Sequence, residues 1–411
     1  MGTLKTARHR RAAAALLLPV IIGMAGCAAE DKTPAGEAVY GRPLAEQFQA
    51  ATDATRDAGT AAFSSTLTYG AAGGDAVDRT RGSLDYTRGT SFAKLGLDAD
   101  RHFPAELREQ LHASDPKAGE VLVTSGEDVY LRHGASSWLK FTPRAVNELG
   151  ESTGVIAAHA AGDAAPYSGT LADLVPRLIP REKPERQADG SRVYQLTALP
   201  EVASELLPRD LQSLQNDWGL DPVDVTVRLD ADGRLSSATA DLGPVLDRLH
   251  ARGELRPVKR LHAAFALSAF GEPVKSKGPS GGASVEDAAE VLAPVDTLKR
   301  GRCATTGDTG LGTTAVVRPV DCAKPHDLRV FGQVKVDRRL PGNQDIENGD
   351  PFARVACERK LAAAPEDWRR GGAYAEGFSF VGSSQVGSSF GGEAGAETTV
   401  TGTYTCYLRS A

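Results

Sequence analysis

Residues 222–243, "PVDVTVRLDADGRLSSATADLG", carry the plainest structural signal in the chain. Val223, Val225, Val227 and Leu229 alternate with polar residues, the period-two pattern of a strand with one buried face. Asp232-Gly233 offers the two residues of a type I′ hairpin loop, and a second run follows from Leu235 to Asp241. Pairing about that turn sets Val225, Val227 and Leu229 opposite Ala240, Ala238 and Ser236. Large residues against small ones leave room over the hairpin for a helix or an acyl chain. "DADG" is no calcium loop, because such a loop needs more acidic ligands and a later glycine.

Strand-like runs lie on both sides of this hairpin. Upstream, "AAFSSTLTY" (61–69) and "RTRGSLDY" (79–86) are separated by the Gly/Asp-rich "GAAGGDAVD". "EVLVTS", "DVYLRH" and "SWLKF" follow between Glu120 and Phe141, spaced like a meander. Downstream, "RLHAAFALSAFG" (260–271) alternates Leu261, Ala263, Phe265, Leu267 and Ala269. Leu44, Phe48, Ala51 and Thr55 recur at helical spacing and predict an amphipathic helix from about Pro43 to Asp57. Residues 144–215 read as a mainly helical insert ("GTLADLVPRLI", "LPEVASELLPRDLQSLQNDW") around one strand, "RVYQLTAL" (192–199).

"KSKGPSGGAS" (275–284) has no apolar residue before Ala283, and residues 274–296 are read as a linker. It divides a first domain, 40–273, from a smaller second one, 297–411. The glycine-rich "GFSFVGSSQVGSSFGGEAG" (377–395) lacks the Gly-Lys-Ser/Thr ending of a phosphate loop and reads as a surface loop.

The N-terminus has its own pattern. Lys5, Arg8, Arg10 and Arg11 precede an apolar run, Ala12 to Met24, too short and too interrupted by Pro19 and Gly23 to span a bilayer. Its ending, Met24-Ala25-Gly26-Cys27, resembles the bacterial lipobox. That resemblance implies a signal peptide over 1–26, a diacylglyceryl thioether on Cys27, and a position on the outer face of the cytoplasmic membrane. Two acyl chains anchor durably where one is marginal. Residues 27–39, small and polar, read as a tether.

The whole chain has a formal charge of −6; residues 1–26 hold four of its 47 basic residues and none of the 53 acidic ones, which leaves −10 after cleavage. An acidic chain without a dense basic run is a poor electrostatic partner for nucleic acid. Both methionines, Met1 and Met24, belong to the signal segment.

With Cys27 assigned to lipid, Cys303, Cys322, Cys357 and Cys406 remain. Four cysteines allow three disulfide pairings, and outside the cytoplasm pairing is the rule. A four-cysteine zinc site would need close Cys-x₂-Cys pairs, which are absent. His326-Asp327 is tempting as an acid/base pair, but neighbours on an extended chain point to opposite faces. No nucleophile elbow and no His-Glu-x-x-His occurs. Trp138, Trp218 and Trp368 fit core or interface packing. The chain thus reads as a non-enzyme, with no cofactor, metal or catalytic residue expected.

"DVYLRH", "SWLKF", "VTVRLDADGRLSSATADLG" and "AFALSAFGEPV" together resemble actinobacterial surface lipoproteins of the LppX/LprG group and, more distantly, the LolA carriers. The resemblance spans Tyr40 to Pro273. It implies an α+β fold: a curved antiparallel half-barrel sheet with packed helices, followed by a smaller disulfide-stapled α+β domain. It further implies a lipid or glycolipid ligand between sheet and helices, with Val225, Val227, Ala238, Phe265 and Leu267 as wall residues. "VVRPVDCAKPHDLRVFGQV", with Cys303, Cys357 and the terminal "YTCYL", resembles the septum-formation-related domain of actinobacteria. This second resemblance implies Cys303–Cys322 and Cys357–Cys406 bridges, and it opens the alternative of an envelope or divisome protein as partner instead of a lipid.

Overall fold

The computed structural model describes residues 35–409 apart from 112–119, 134–136, 151–169, 213–220, 275–277, 310–314, 345, 347, 371–377 and 390–395. Cys27, the signal segment, Trp218 and much of the helical insert therefore lie outside the described residues.

Strands dominate. The larger sheet takes β1 (Thr60–Ala71), β2 (Gly74–Asp85), β3 (Thr90–Ala99), β4 (Glu120–Ser125), β5 (Asp128–His133), β6 (Ser137–Phe141), β7 (Ile179–Pro180), β8 (Glu185–Arg186), β9 (Arg192–Ala198), β10 (Val223–Leu229), β11 (Leu235–Asp241), β12 (Val258–Ser268) and β13 (Ser284–Asp287). Its order is β13-β6-β5-β4-β3-β2-β1-β12-β11-β10-β9-β7, with β8 also on β9, and the path does not close into a barrel. Every pair is antiparallel except β13 on β6. The first helices are α1 (Ala35–Tyr40), α2 (Leu44–Asp57), α3 (Ala105–Gln110) and α4 (Pro143–Leu149).

The opening hairpin forms with one change. Val225 pairs with Ala240 and Val227 with Ala238, but Leu229 meets Leu235, not Ser236, because a bulge follows Arg228. The loop is not type I′. Gly233 is its one residue with positive φ, +80°, and its N–H donates to the Asp230 carbonyl at 2.9 Å while Asp230 N–H donates to Arg234 at 2.8 Å. This is a type I turn closed by a left-handed glycine, which costs one extra residue and shifts the register. The Asp230 carboxylate holds the loop by accepting from the backbone N–H of Asp232 and Arg234.

Helix α1 sits on this loop. A Cβ at Gly233 would fall 2.7 Å from the Val39 side chain, and Tyr40 donates to the Asp230 carbonyl while Arg192 stacks over its ring at 4.0 Å. The stretch read as a tether therefore contains a helix from Ala35.

Among its described residues, the insert is less helical than its spacing predicts. Leu171–Leu174 and Pro200–Ala203 are single turns, each continuing into a 3₁₀ turn, and Arg209–Gln212 is another short piece. Pro176, Pro200 and Pro208 punctuate the run, and proline starts a helix readily but cannot continue one.

Residues read as a linker are built into the fold. Ala283 packs with Val121, Val123, Trp138, Phe92 and Tyr130 on the outer side of β3–β6. β13 then extends the sheet edge, the Asp287 carboxylate caps Ala289 N–H, and Ala288 and Leu292 join the main core. The Arg318 guanidinium grips Glu286 through two bonds of 3.0 and 2.9 Å.

The second sheet takes β14 (Ala293–Pro294), β15 (Cys303–Thr305), β16 (Val316–Val320), β17 (Leu328–Pro341), β18 (Phe378–Ser389) and β19 (Glu397–Arg409), in the order β14-β16-β15-β17-β19-β18. Much of the glycine-rich stretch read as a loop is therefore a twelve-residue strand, zipped to β19 along its whole length. Gly382 is needed there, because a Cβ would fall 2.2 Å from the Thr403 carbonyl oxygen and 2.7 Å from the Tyr404 ring. The structure joins Cys303 to Cys322 and Cys357 to Cys406; the second bridge pins the helix Asp350–Ala362 to β19. With sequence separations of 19 and 49, loop-closure entropy alone makes these bridges worth about 3 and about 4 kcal/mol.

Candidate ligand site on the inner sheet face

Strand register sorts the inner face into rows. One row runs Phe265, Ser65, Thr80, Leu95 across β12, β1, β2 and β3; the next runs Ala263, Leu67, Asp78, Leu97; a third runs Leu261, Tyr69, Ala76, Ala99. The β9–β12 side of this face is closed. Val225, Val227, Ala238, Phe265 and Leu267 are all buried, the most exposed at 5%, within one core cluster that includes Phe48 and Ala51 of α2. The other side is closed as well, by Leu122, Leu131, Leu139 and Phe141.

Between these closed parts the floor is incompletely covered. Ser65, Asp78, Thr80 and Leu95 stay half-buried, flanked by buried Leu67, Leu97 and Tyr69. Four adjacent inner-face positions on three strands thus form a stripe that the described helices do not fully bury. Three of the four carry polar groups.

The polar groups here have unusual surroundings. Tyr69 is fully buried, and its hydroxyl has no hydrogen-bond partner among the described residues. A buried hydroxyl left unpaired costs roughly 1–3 kcal/mol. Burial, with a smaller contribution from the Asp78 charge, lifts the phenol well above its ordinary value, so it remains a neutral donor. Desolvation raises the Asp78 carboxyl to about 6, so it is partly protonated at mildly acidic pH and mostly an ionised acceptor at neutral pH. A largely polar stripe flanked by apolar side chains, with one unsatisfied donor and one carboxyl, suits a molecule that is greasy along part of its length and bears a hydroxyl, ester or amide. Sequence reading placed the ligand over the β10–β11 hairpin and missed this stripe. The available signal was the parity of Asp78, which shares a face with Ala76 and Leu84.

Other candidates resolve into local structure. The Asp327 carboxylate accepts from the Thr306 backbone N–H and Oγ1, and His326 Nδ1 lies 2.8 Å from the Lys324 carbonyl oxygen. They serve separate turns, not one acid/base pair. Trp138 is core on the outer face, and Trp368 lies under the Arg329 guanidinium at 3.9 Å. A recess of about 420 Å³ opens between Thr60, Asp85, Thr87, Arg88 and residues 271–274, and another of about 240 Å³ lies beside Pro200, Asp247 and Arg248. Neither touches the inner face. Among the described residues, no three His, Cys, Asp or Glu side chains converge as metal ligands, and no helix is long and apolar enough to cross a membrane.

No family model matches this chain. No curated protein matches it either. Among solved structures, the Mycobacterium tuberculosis lipoprotein LppX is similar at 15% identity and a TM-score of 0.26, over 55% of this chain and 93% of that one. The Pseudomonas aeruginosa MucA/MucB complex is similar at 11% identity and a TM-score of 0.25, over 87% of this chain and 93% of that one. Likeness at this level does not decide function, which has to be argued from the residues.

Proposed function

We propose that this chain is a non-enzymatic lipoprotein of the cell envelope with a LolA-like half-barrel, anchored through Cys27 at the outer face of the cytoplasmic membrane. It binds or carries a hydrophobic ligand, a lipid or glycolipid, on the inner face of its large sheet. The observation that supports this reading is the half-buried stripe Ser65, Asp78, Thr80 and Leu95 beside the unpartnered Tyr69 hydroxyl. Interiors normally pair their polar groups, so an open donor beside inner-face positions that are not fully buried supports a ligand there.

The packing of Val225, Val227, Ala238, Phe265 and Leu267 moves the proposed site away from the hairpin and towards β1–β3. The alternative, an envelope or divisome interaction module without a lipid, draws on the same closed packing. Binding of a fluorescent fatty acid separates the two. Wild type should saturate; Thr80→Trp, which fills the stripe, should weaken binding at least tenfold, and Thr66→Trp on the outer face should not. Equal affinity for all three rejects the site.

A further inference from the structure

We propose that Asp78 is the specificity-determining residue of the inner-face stripe, selecting uncharged amphiphiles that bear a hydroxyl or amide over those that bear a carboxylate or phosphate. The inference rests on the carrier reading above and names the ligand class for that same site.

Register fixes what shares a face with Asp78. It lies in a row with Ala263, Leu67 and Leu97, between the rows of Thr80 and Ala76. From the Ala76 row to the Leu84 row, the inner-face positions of β1, β2 and β3 hold no other Asp or Glu and no Lys, Arg or His. Burial is the cause of the raised Asp78 value, and a cation close by would have lowered it. Arg108 of α3 is committed elsewhere, to the Asp100 carbonyl. Asp78 is therefore a half-buried carboxylate without a counter-ion among the described residues, and at neutral pH it is mostly ionised.

A second anion placed beside such a group meets a repulsion that water screens poorly. A hydroxyl or amide instead donates to the carboxylate, a charge-assisted bond about twice as strong as a neutral one. Its oxygen can accept from Tyr69, which sits diagonal to Asp78 across β1 and β2 and has an open donor. One uncharged group thus serves both residues. A carboxylate or phosphate serves Tyr69 alone and is opposed by Asp78. The discrimination has a use: a carrier tethered at a bilayer is surrounded by phospholipids, and an unpaired carboxylate in its floor keeps anionic ones from occupying the site.

The test compares a fluorescent fatty acid with its glycerol monoester at pH 7.5, on the full chain purified from membranes. Wild type should bind the ester about tenfold more tightly than the acid. Asp78→Asn should strengthen binding of the acid, weaken that of the ester slightly, and abolish the preference. Asp78→Ser should do the same, with melting curves to show that both variants are folded. Tyr69→Phe should weaken both ligands and leave their ratio unchanged. Equal wild-type affinity for acid and ester, or a preference that survives both Asp78 variants, would overturn the proposal and leave the site standing if Thr80→Trp still blocks both ligands. Binding of neither ligand, or binding indifferent to Thr80→Trp, would overturn the site and this proposal with it.

Discussion

Tyr69 and Asp78 lie on the inner face of neighbouring strands, in adjacent rows, and the charge of Asp78 adds to burial in keeping the Tyr69 phenol neutral. An unsatisfied donor and a desolvated carboxyl side by side cost the fold stability. A ligand that bonds to them recovers that cost, so the two residues should show opposite effects on stability and on binding.

Asp78→Asn tests the carboxyl. Its folded value, about 6, stands above the ordinary 3.8, so folding binds the proton more tightly than the unfolded chain does. Wild-type stability should therefore fall as pH rises from about 4 through 6, and the penalty is complete above that window. The variant should lack this fall and be more stable at pH 7.5 by about 1–3 kcal/mol. Parallel melting curves at pH 4.5 and 7.5 would refute the assignment.

Tyr69→Phe removes the orphaned hydroxyl and keeps the ring. Ligand-free stability should hold or rise by up to about 1–2 kcal/mol, because no hydrogen bond is lost. Fatty-acid affinity should drop several-fold. A large loss of stability in chemical denaturation would mean that the hydroxyl is paired after all.

Gly233→Ala should destabilise the hairpin end by about 1–3 kcal/mol, from positive φ and from contact with Val39. Increased proteolysis between residues 28 and 44 would show that α1 has come loose. Unchanged protection there would separate α1 from the turn.

Ala238→Phe discriminates between a filled and an empty space over the hairpin. The carrier reading of the sequence expects a void there, which the larger ring would fill harmlessly. Ala238 is instead buried between Val227 and Phe265, so overpacking should cost about 1–3 kcal/mol. A variant as stable as wild type would return the ligand to the hairpin.

The β10–β11 hairpin, the meander β4–β6 and α2 were legible because local alternation and helical spacing report burial directly. β3 was not identified, although Ala93, Leu95 and Leu97 alternate with Lys94 and Asp98 there. β18 was unreadable for a physical reason: its glycines and serines carry no hydrophobic period, and the strand exists because β19 pairs with it. The linker misled because composition shows only that 275–282 lacks apolar side chains, while the apolar residues it helps to cover belong to β3–β6. The site was hidden for a related reason. A strand aspartate becomes informative only when register shows that it faces inward.

The most direct test of the account is mass spectrometry of organic extracts from the full chain purified from membranes. Wild type should release a non-covalent lipid in near-stoichiometric amount, over and above the acyl groups fixed to the protein, and Thr80→Trp should release little or none. Extracts without bound lipid from wild type, or equal amounts from both proteins, would contradict the carrier reading and leave the interaction module in its place.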